Sequence, residues 1–230
     1  MRDEVRLSVY LQDMVAAANL HAFDLRIAKP EQRIALDGVP WKTYVLLRDA
    51  IDAPHLKMTY CEGVLELMSP SEKHELNKTM TARLLELYSF LTRIPLIGYG
   101  STTFKREATS RGVEPDECYR VSPEAKEREF PDIVLEVIET SPLLDKLVVY
   151  DGLEISEVWL LENGKFSVFR RKAKGGYAKT RRSAFFPALD FTLLARYVSR
   201  TDHDAALHEF AAHVKGAAKK RSKRSRVRRR

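Results

Sequence analysis

The sequence predicts an α/β fold, a mixed central sheet with flanking helices, and three observations predict it. Ile133–Ile138 is an apolar, β-branched run of strand length. Ser69, Pro70 and Glu72 form a capping box that opens a long amphipathic helix. Asn163-Gly164 stands between two alternating runs as a hairpin turn. With 230 residues, 44% of them hydrophobic, the chain can bury one substantial core, and its length suits one domain with extensions.

Residues 1–37 alternate short apolar and charged runs without a strong period and read as an N-terminal extension, with a helix around Val5–Ala18. The domain follows, over residues 38–214. Pro40 fits a first helical position, and Trp41, Tyr44, Val45 and Leu47 give that helix one apolar side. "HLKMTYCEGVLELMSP" reads as two strands about a Glu62-Gly63 turn, with Val64, Glu66 and Met68 on one face and Leu65 and Leu67 on the other. The capped helix from Ser69 carries a stripe of Leu76, Met80, Leu84, Leu87 and Leu91.

After a turn at "GYG" come two β-prone runs, "STTFKR" and "EPDECYRV", then a loop over Ser122–Arg128 and the strand Ile133–Ile138. "SPLLDKLVVYDG" repeats a Ser-Pro start, with Ser141 as cap and Gly152 as stop. The hairpin about Asn163-Gly164 follows, then an edge strand in "GGYAKTRRSAFF", helix from Asp190 to Gly216, and a basic tail over residues 215–230. In order, the core is helix, three strands, helix, strand.

The formal charge of +7 is local: Lys219–Arg230 holds nine Lys or Arg and no acid, which leaves −2 for residues 1–218. Cys61 and Cys118 are too few for a disulfide framework and fit free thiols in a reducing compartment. No CxxC or His spacing accompanies them, which argues against zinc. No run of about 18 apolar residues exists to span a bilayer, and Asp3 and Glu4 precede any apolar stretch, unlike a signal peptide. The expectation is a soluble cytoplasmic protein with no membrane association.

Glu136 stands inside the apolar strand, where an ionised acid is costly unless a metal, a base or a hydrogen-bond donor receives it. Asp116 lies near the start of the preceding strand, so pairing the two strands brings both carboxylates to one end of the sheet. Converging carboxylates suit a hard divalent ion such as Mg²⁺ or Mn²⁺, which can activate water and offset charge on a phosphodiester. A lysine nearby would hold the water or the phosphate oxygens. Position 138 is Ile, so Lys146 on the following helix and Lys105 in "STTFKR" are the alternatives.

The order helix-β-β-β-helix-β, with Asp in the second strand and Glu in the third, resembles the PD-(D/E)XK fold of restriction endonucleases. "WKTY", "CEGVLELMSPSEKHE", "GSTTFKR", "GVEPDECY", "PDIVLEV" and "KLVVYDGLEISEVWLL" are similar, in that order, to the Uma-type putative restriction endonuclease family, from about Gly38 to Phe186. The resemblance implies a restriction endonuclease-like core and a metal-dependent endonuclease acting on DNA. It implies catalytic roles for Asp116 and Glu136 as ligands of Mg²⁺ or Mn²⁺, and for Lys146 in place of a lysine at Ile138. Glu62, His74 and Lys105 would be accessory to that site. Proteins of this fold often pair so that two sites address two strands, which makes a homodimer an expectation.

Plainer readings stand beside these. Asp116 reads equally as a turn residue after Pro115 until the resemblance is added. Lys146 reads as a solvated helix lysine or a partner of Asp145 or Glu139, Lys105 as an exposed strand end, and Glu62 as a hairpin-turn acid. His74 falls outside the apolar stripe and reads as a surface histidine. Asp132 is a rival to Asp116, but four residues along a strand place it roughly 13 Å from Glu136, too far to share an ion. It reads as a strand-entry turn.

The tail holds Lys219, Lys220, Arg221, Lys223, Arg224, Arg226, Arg228, Arg229 and Arg230 with one apolar residue, Val227, and is expected to be disordered and to bind nucleic acid without sequence preference. A decayed nuclease-fold module that binds nucleic acid, or a protein-interaction domain on the same fold, is the alternative function.

Overall fold

The computed structural model describes residues 30–51, 55–121 and 129–227, with the backbone alone for 219–227. The expected helix over Val5–Ala18 and the loop Ser122–Arg128 lie outside the described residues. Two sheets organise the rest. The first, ordered β1-β3-β2-β6-β5, is antiparallel throughout: β1 (Gln32–Leu36), β2 (Lys57–Cys61), β3 (Val64–Ser69), β5 (Phe104–Arg106) and β6 (Arg111–Val113).

The second sheet is the mixed one, ordered β11-β10-β9-β8-β7-β4. It holds β4 (Ile97–Gly98), β7 (Glu117–Arg120), β8 (Ile133–Ile138), β9 (Glu157–Glu162), β10 (Lys165–Arg171) and β11 (Tyr177–Thr180). Only β8 and β9 run parallel, and a parallel pair needs a crossover; α3 (Lys146–Gly152) supplies it. The hairpin turns at Glu62-Gly63 and Asn163-Gly164 have positive φ at both central residues (48° and 97°, 49° and 69°), as primed turns require.

Alternation along β8 sorts its side chains. Ile133, Leu135 and Val137 face the main core, packed with α2 (Glu72–Thr92), α4 (Phe191–Val198) and α5 (His203–Val227). Val134 faces the opposite cluster, with Val149, Tyr150 and Leu153 of the α3 segment. Glu136 has the parity of Val134 and so points to the α3 side. A third cluster joins α1 (Trp41–Ala50) to the first sheet, where Tyr44 and Tyr60 stack at 4.7 Å.

Several expectations are corrected. Gln32–Leu36, expected in an extension ending at residue 37, is an edge strand on β3, because its partners lie about thirty or more residues away and leave no local signal. "STTFKR" belongs to the first sheet rather than beside Asp116, and it pairs with Arg111–Val113, a strand too short to show a period. α2 is capped by Ser71, which accepts from the His74 N–H at 3.1 Å; Ser69 ends β3. Its buried face runs through His74, Met80, Thr81, Leu84, Leu85 and Tyr88, while Leu76 is 49% exposed.

α3 starts at Lys146 behind an Asp145 cap instead of at Ser141, because the Leu143 and Leu144 N–H groups donate to the Glu66 carboxylate and hold the preceding turn out of helix. The backbone of α5 continues as helix to Val227, through most of the tail expected to be disordered; Lys and Arg are good helix formers, and no Gly or Pro follows Gly216. Among the described residues no helix is long and apolar enough to cross a membrane.

Candidate active site

The two sheets meet where β6 passes the chain to β7 through Glu114-Pro115-Asp116. Pairing of β7 with β8 ends at Glu117 and Leu135, and the Asp116 carboxylate takes up the next N–H along: Oδ2 accepts from Val137 N at 2.7 Å. Its other oxygen, Oδ1, accepts from the Lys57 ammonium and from His74 Nε2 at 3.0 Å. Asp116 is fully buried. Burial works against its charge, but Lys57 and His74 outweigh burial and hold the carboxyl well below the usual range.

Lys57 and Thr59 reach the junction because they share one face of β2, with Met58 and Tyr60 turned into the α1 core. His74 comes from the first turn of α2. Its Nδ1 lies 2.8 Å from Glu31 Oε2, so both ring nitrogens face carboxylates. Burial opposes the imidazolium, yet Asp116 and Glu31 outweigh it and lift the ring to about 9. Glu31 also accepts from Arg33 and Thr140, and Arg33 donates on to Glu66 at 2.7 Å.

Glu136 is 2% exposed, and its partners come from α3. Tyr150 donates its hydroxyl to Oε1, and Lys146 Nζ stands 3.5 Å from the same oxygen and donates to Thr59 Oγ1 at 2.9 Å. Among the described residues Oε2 accepts no hydrogen bond. Burial pushes the Glu136 carboxyl up against the pull of Lys146, and the charge on Asp116 pushes it further. Two carboxylates close in the fold are thus shifted in opposite directions.

The structure brings Asp116, Glu136, Lys146 and His74 together. Lys146 is buried, unlike a solvated helix lysine, and His74 is fully buried, contrary to a surface reading, because the polar junction and not a neighbouring apolar stripe receives the first turn of α2. Glu62 is elsewhere: it pairs with Arg111 at 2.9 Å beside a cavity of about 650 Å³ that Asp145, Asp151 and Tyr177 also line. Lys105 pairs with Asp49 at 3.3 Å on the surface. Of residues 219–230 no side chain is described.

Sequence reasoning missed Lys57, Thr59, Tyr150, Glu31, Arg33 and Glu66. Lys57 and Thr59 alternate with apolar Met58 and Tyr60, a signal that could have marked a polar buried face. Glu31 and Arg33 carry no such signal.

Hard oxygens of Asp116 and Glu136, with one Glu136 oxygen unclaimed, are the right donor type for Mg²⁺ or Mn²⁺, which keep several waters and need few protein ligands. Among the described residues no three His, Cys, Asp or Glu side chains group as a metal's ligands. The chain therefore offers two carboxylates, both already paired with cationic side chains.

The model of the Uma2 family, described as a putative restriction endonuclease, matches residues 41–196. The chain belongs to the Uma2 family. The match spans Lys57, His74, Asp116, Glu136, Lys146 and Tyr150, and leaves Glu31, Arg33 and the basic C-terminal segment outside it. The Uma2 chain also resembles the crystal structure of a putative nuclease belonging to DUF820 from Anabaena variabilis ATCC 29413, with 14% identity over 60% of this chain and 90% of that one, at a TM-score of 0.38. No curated protein matches.

Proposed function

We propose that the protein is a metal-dependent endonuclease that hydrolyses phosphodiester bonds in DNA, with Asp116 and Glu136 holding Mg²⁺ or Mn²⁺. The observation that carries this reading is the junction itself: two buried carboxylates, one from the link between β6 and β7 and one from β8, backed by two lysines in a chain of the Uma2 family. Bound there, the ion would supply a water more easily deprotonated and would offset charge developing on the phosphate.

The chain's own groups have separate work. Tyr150 fixes the Glu136 carboxylate by its hydroxyl, and His74 fixes that of Asp116 while Glu31 orients the ring. Lys146, anchored on Thr59, sets a compact positive charge beside Glu136, where it can hold a phosphate oxygen or the attacking water. The nine basic residues of Lys219–Arg230 add affinity for the DNA backbone without reading sequence, an affinity that falls with salt by a log-log slope near −0.9 per phosphate neutralised. A homodimer would let two such sites address two strands. Cys61 and Cys118 are free thiols, which fits a cytoplasmic setting.

One observation favours a second reading, a nuclease-fold domain that binds nucleic acid or protein without cutting: both Asp116 oxygens are already hydrogen-bonded. Incubation of supercoiled plasmid with the protein in Mg²⁺ or Mn²⁺ separates the two. The proposal expects nicking that EDTA and an Asp116→Ala/Glu136→Ala pair abolish. Nicking that survives the double substitution would overturn the site, and binding without cleavage under either metal would favour the second reading. Deleting Lys219–Arg230 should weaken DNA binding and leave the metal requirement in place.

A further inference from the structure

We infer that the Lys57 ammonium occupies the cation position of the Asp116–Glu136 pair, so that a divalent ion binds by displacing this side chain. The inference rests on the reading of those two carboxylates as the ligand pair. It starts from what Lys57 touches. Its residue is 9% exposed, and its Nζ donates to Asp116 Oδ1 and to the Pro115 carbonyl at 3.4 Å. The same charge also bears on Glu136 at longer range, behind that of Lys146, which stands 3.5 Å from that carboxylate.

The charge balance of the junction points the same way. Its contacts run Glu66–Arg33–Glu31–His74–Asp116–Lys57, with Glu136–Lys146 beside them, four acids facing four bases among the described residues. A divalent ion added to such a set would bring uncompensated positive charge into a buried site, which is costly unless a cation leaves. Arg33 is held by two carboxylates, His74 by two, and Lys146 by a carboxylate and the Thr59 hydroxyl. Lys57 has one carboxylate and one long contact to a carbonyl, on an unbranched stem that can swing away. Of the two cations on Asp116 Oδ1, His74 is held by a second carboxylate and Lys57 is not.

Binding of MnCl₂ to the full-length protein, measured by calorimetry and by loss of the free Mn²⁺ paramagnetic signal, tests this without reference to cleavage. Lys57→Met and Lys57→Gln should bind Mn²⁺ about tenfold or more tightly than the unaltered chain, because a competing like charge has gone. Mn²⁺ should also raise the thermal midpoint of either variant by more than that of the unaltered protein. The glutamine keeps an N–H donor for Asp116, so it reports even if the methionine variant folds poorly.

Equal or weaker binding by these variants, with the unaltered protein binding and Asp116→Asn abolishing it, would overturn the role of Lys57 and leave the ligand pair standing. Failure of every form to bind Mn²⁺ would overturn the ligand pair and this inference together. Binding by the variants but not by the unaltered protein would be the strongest support.

Discussion

Two buried regions of this protein are equally dry and are stabilised in opposite ways. Around Trp159, fully buried rings of Trp159 and Phe186 meet with centroids 5.9 Å apart, and Phe191 closes on the indole at 4.8 Å. Around Asp116 the same depth of burial encloses carboxylates, lysines and a histidine. The apolar region is stabilised by area removed from water and tolerates the loss of one contact in proportion to the cavity left. The polar region is stabilised only as a completed set, since each charge withdrawn leaves its partner buried alone. The difference teaches that burial alone does not say which substitution is dangerous.

The largest effect should come from the polar side. Asp116→Ala leaves Lys57 and His74 without their shared acceptor and should cost about 3–5 kcal/mol in urea unfolding, besides abolishing metal-dependent nicking. Trp159→Ala should cost a similar or slightly smaller amount, about 3–5 kcal/mol with the cavity term. Its folded fraction should keep the metal dependence that Asp116→Ala loses. If the tryptophan variant lost metal response while folded, the two regions would not be separable.

A smaller effect sharpens the electrostatic half. The His74 imidazolium, lifted to about 9 from an ordinary 6.5, stabilises the metal-free fold fully below pH 6.5 and loses that contribution as pH rises through 9. Chemical denaturation in EDTA should therefore show stability falling across that window. In His74→Asn the fall should be reduced; an unchanged profile would assign the pH dependence to other groups. The smallest effect belongs to Lys105→Ala, which removes an exposed pair with Asp49 and should change stability by about 0–1 kcal/mol and leave nicking unaltered.

The fold was largely legible because its signals are local. Turn residues at Glu62-Gly63 and Asn163-Gly164, the β-branched run at Ile133–Ile138 and the apolar period after Glu72 each lie within a few residues of what they specify. Asp116 and Glu136 were legible for the same reason, one beside a proline at a strand start and the other an acid in an apolar strand. The phase of α2 was misread because two neighbouring faces both carry leucines. The choice between Leu76 and His74 is made by the junction the helix lands on, not by the helix. Ser69 likewise looks like a cap until β3 claims it as its last residue.

The sequence by itself determined the elements, their order and the two acids, since backbone propensity, turn chemistry and periodicity act over a turn of helix or a hairpin. Only the tertiary structure decided what receives those acids. Lys57 lies 59 positions from Asp116, His74 42 positions from it, and Glu31 43 positions from His74. Such pairings come from how two sheets and two helices pack, and electrostatic partners chosen at that range leave no period in the chain to read.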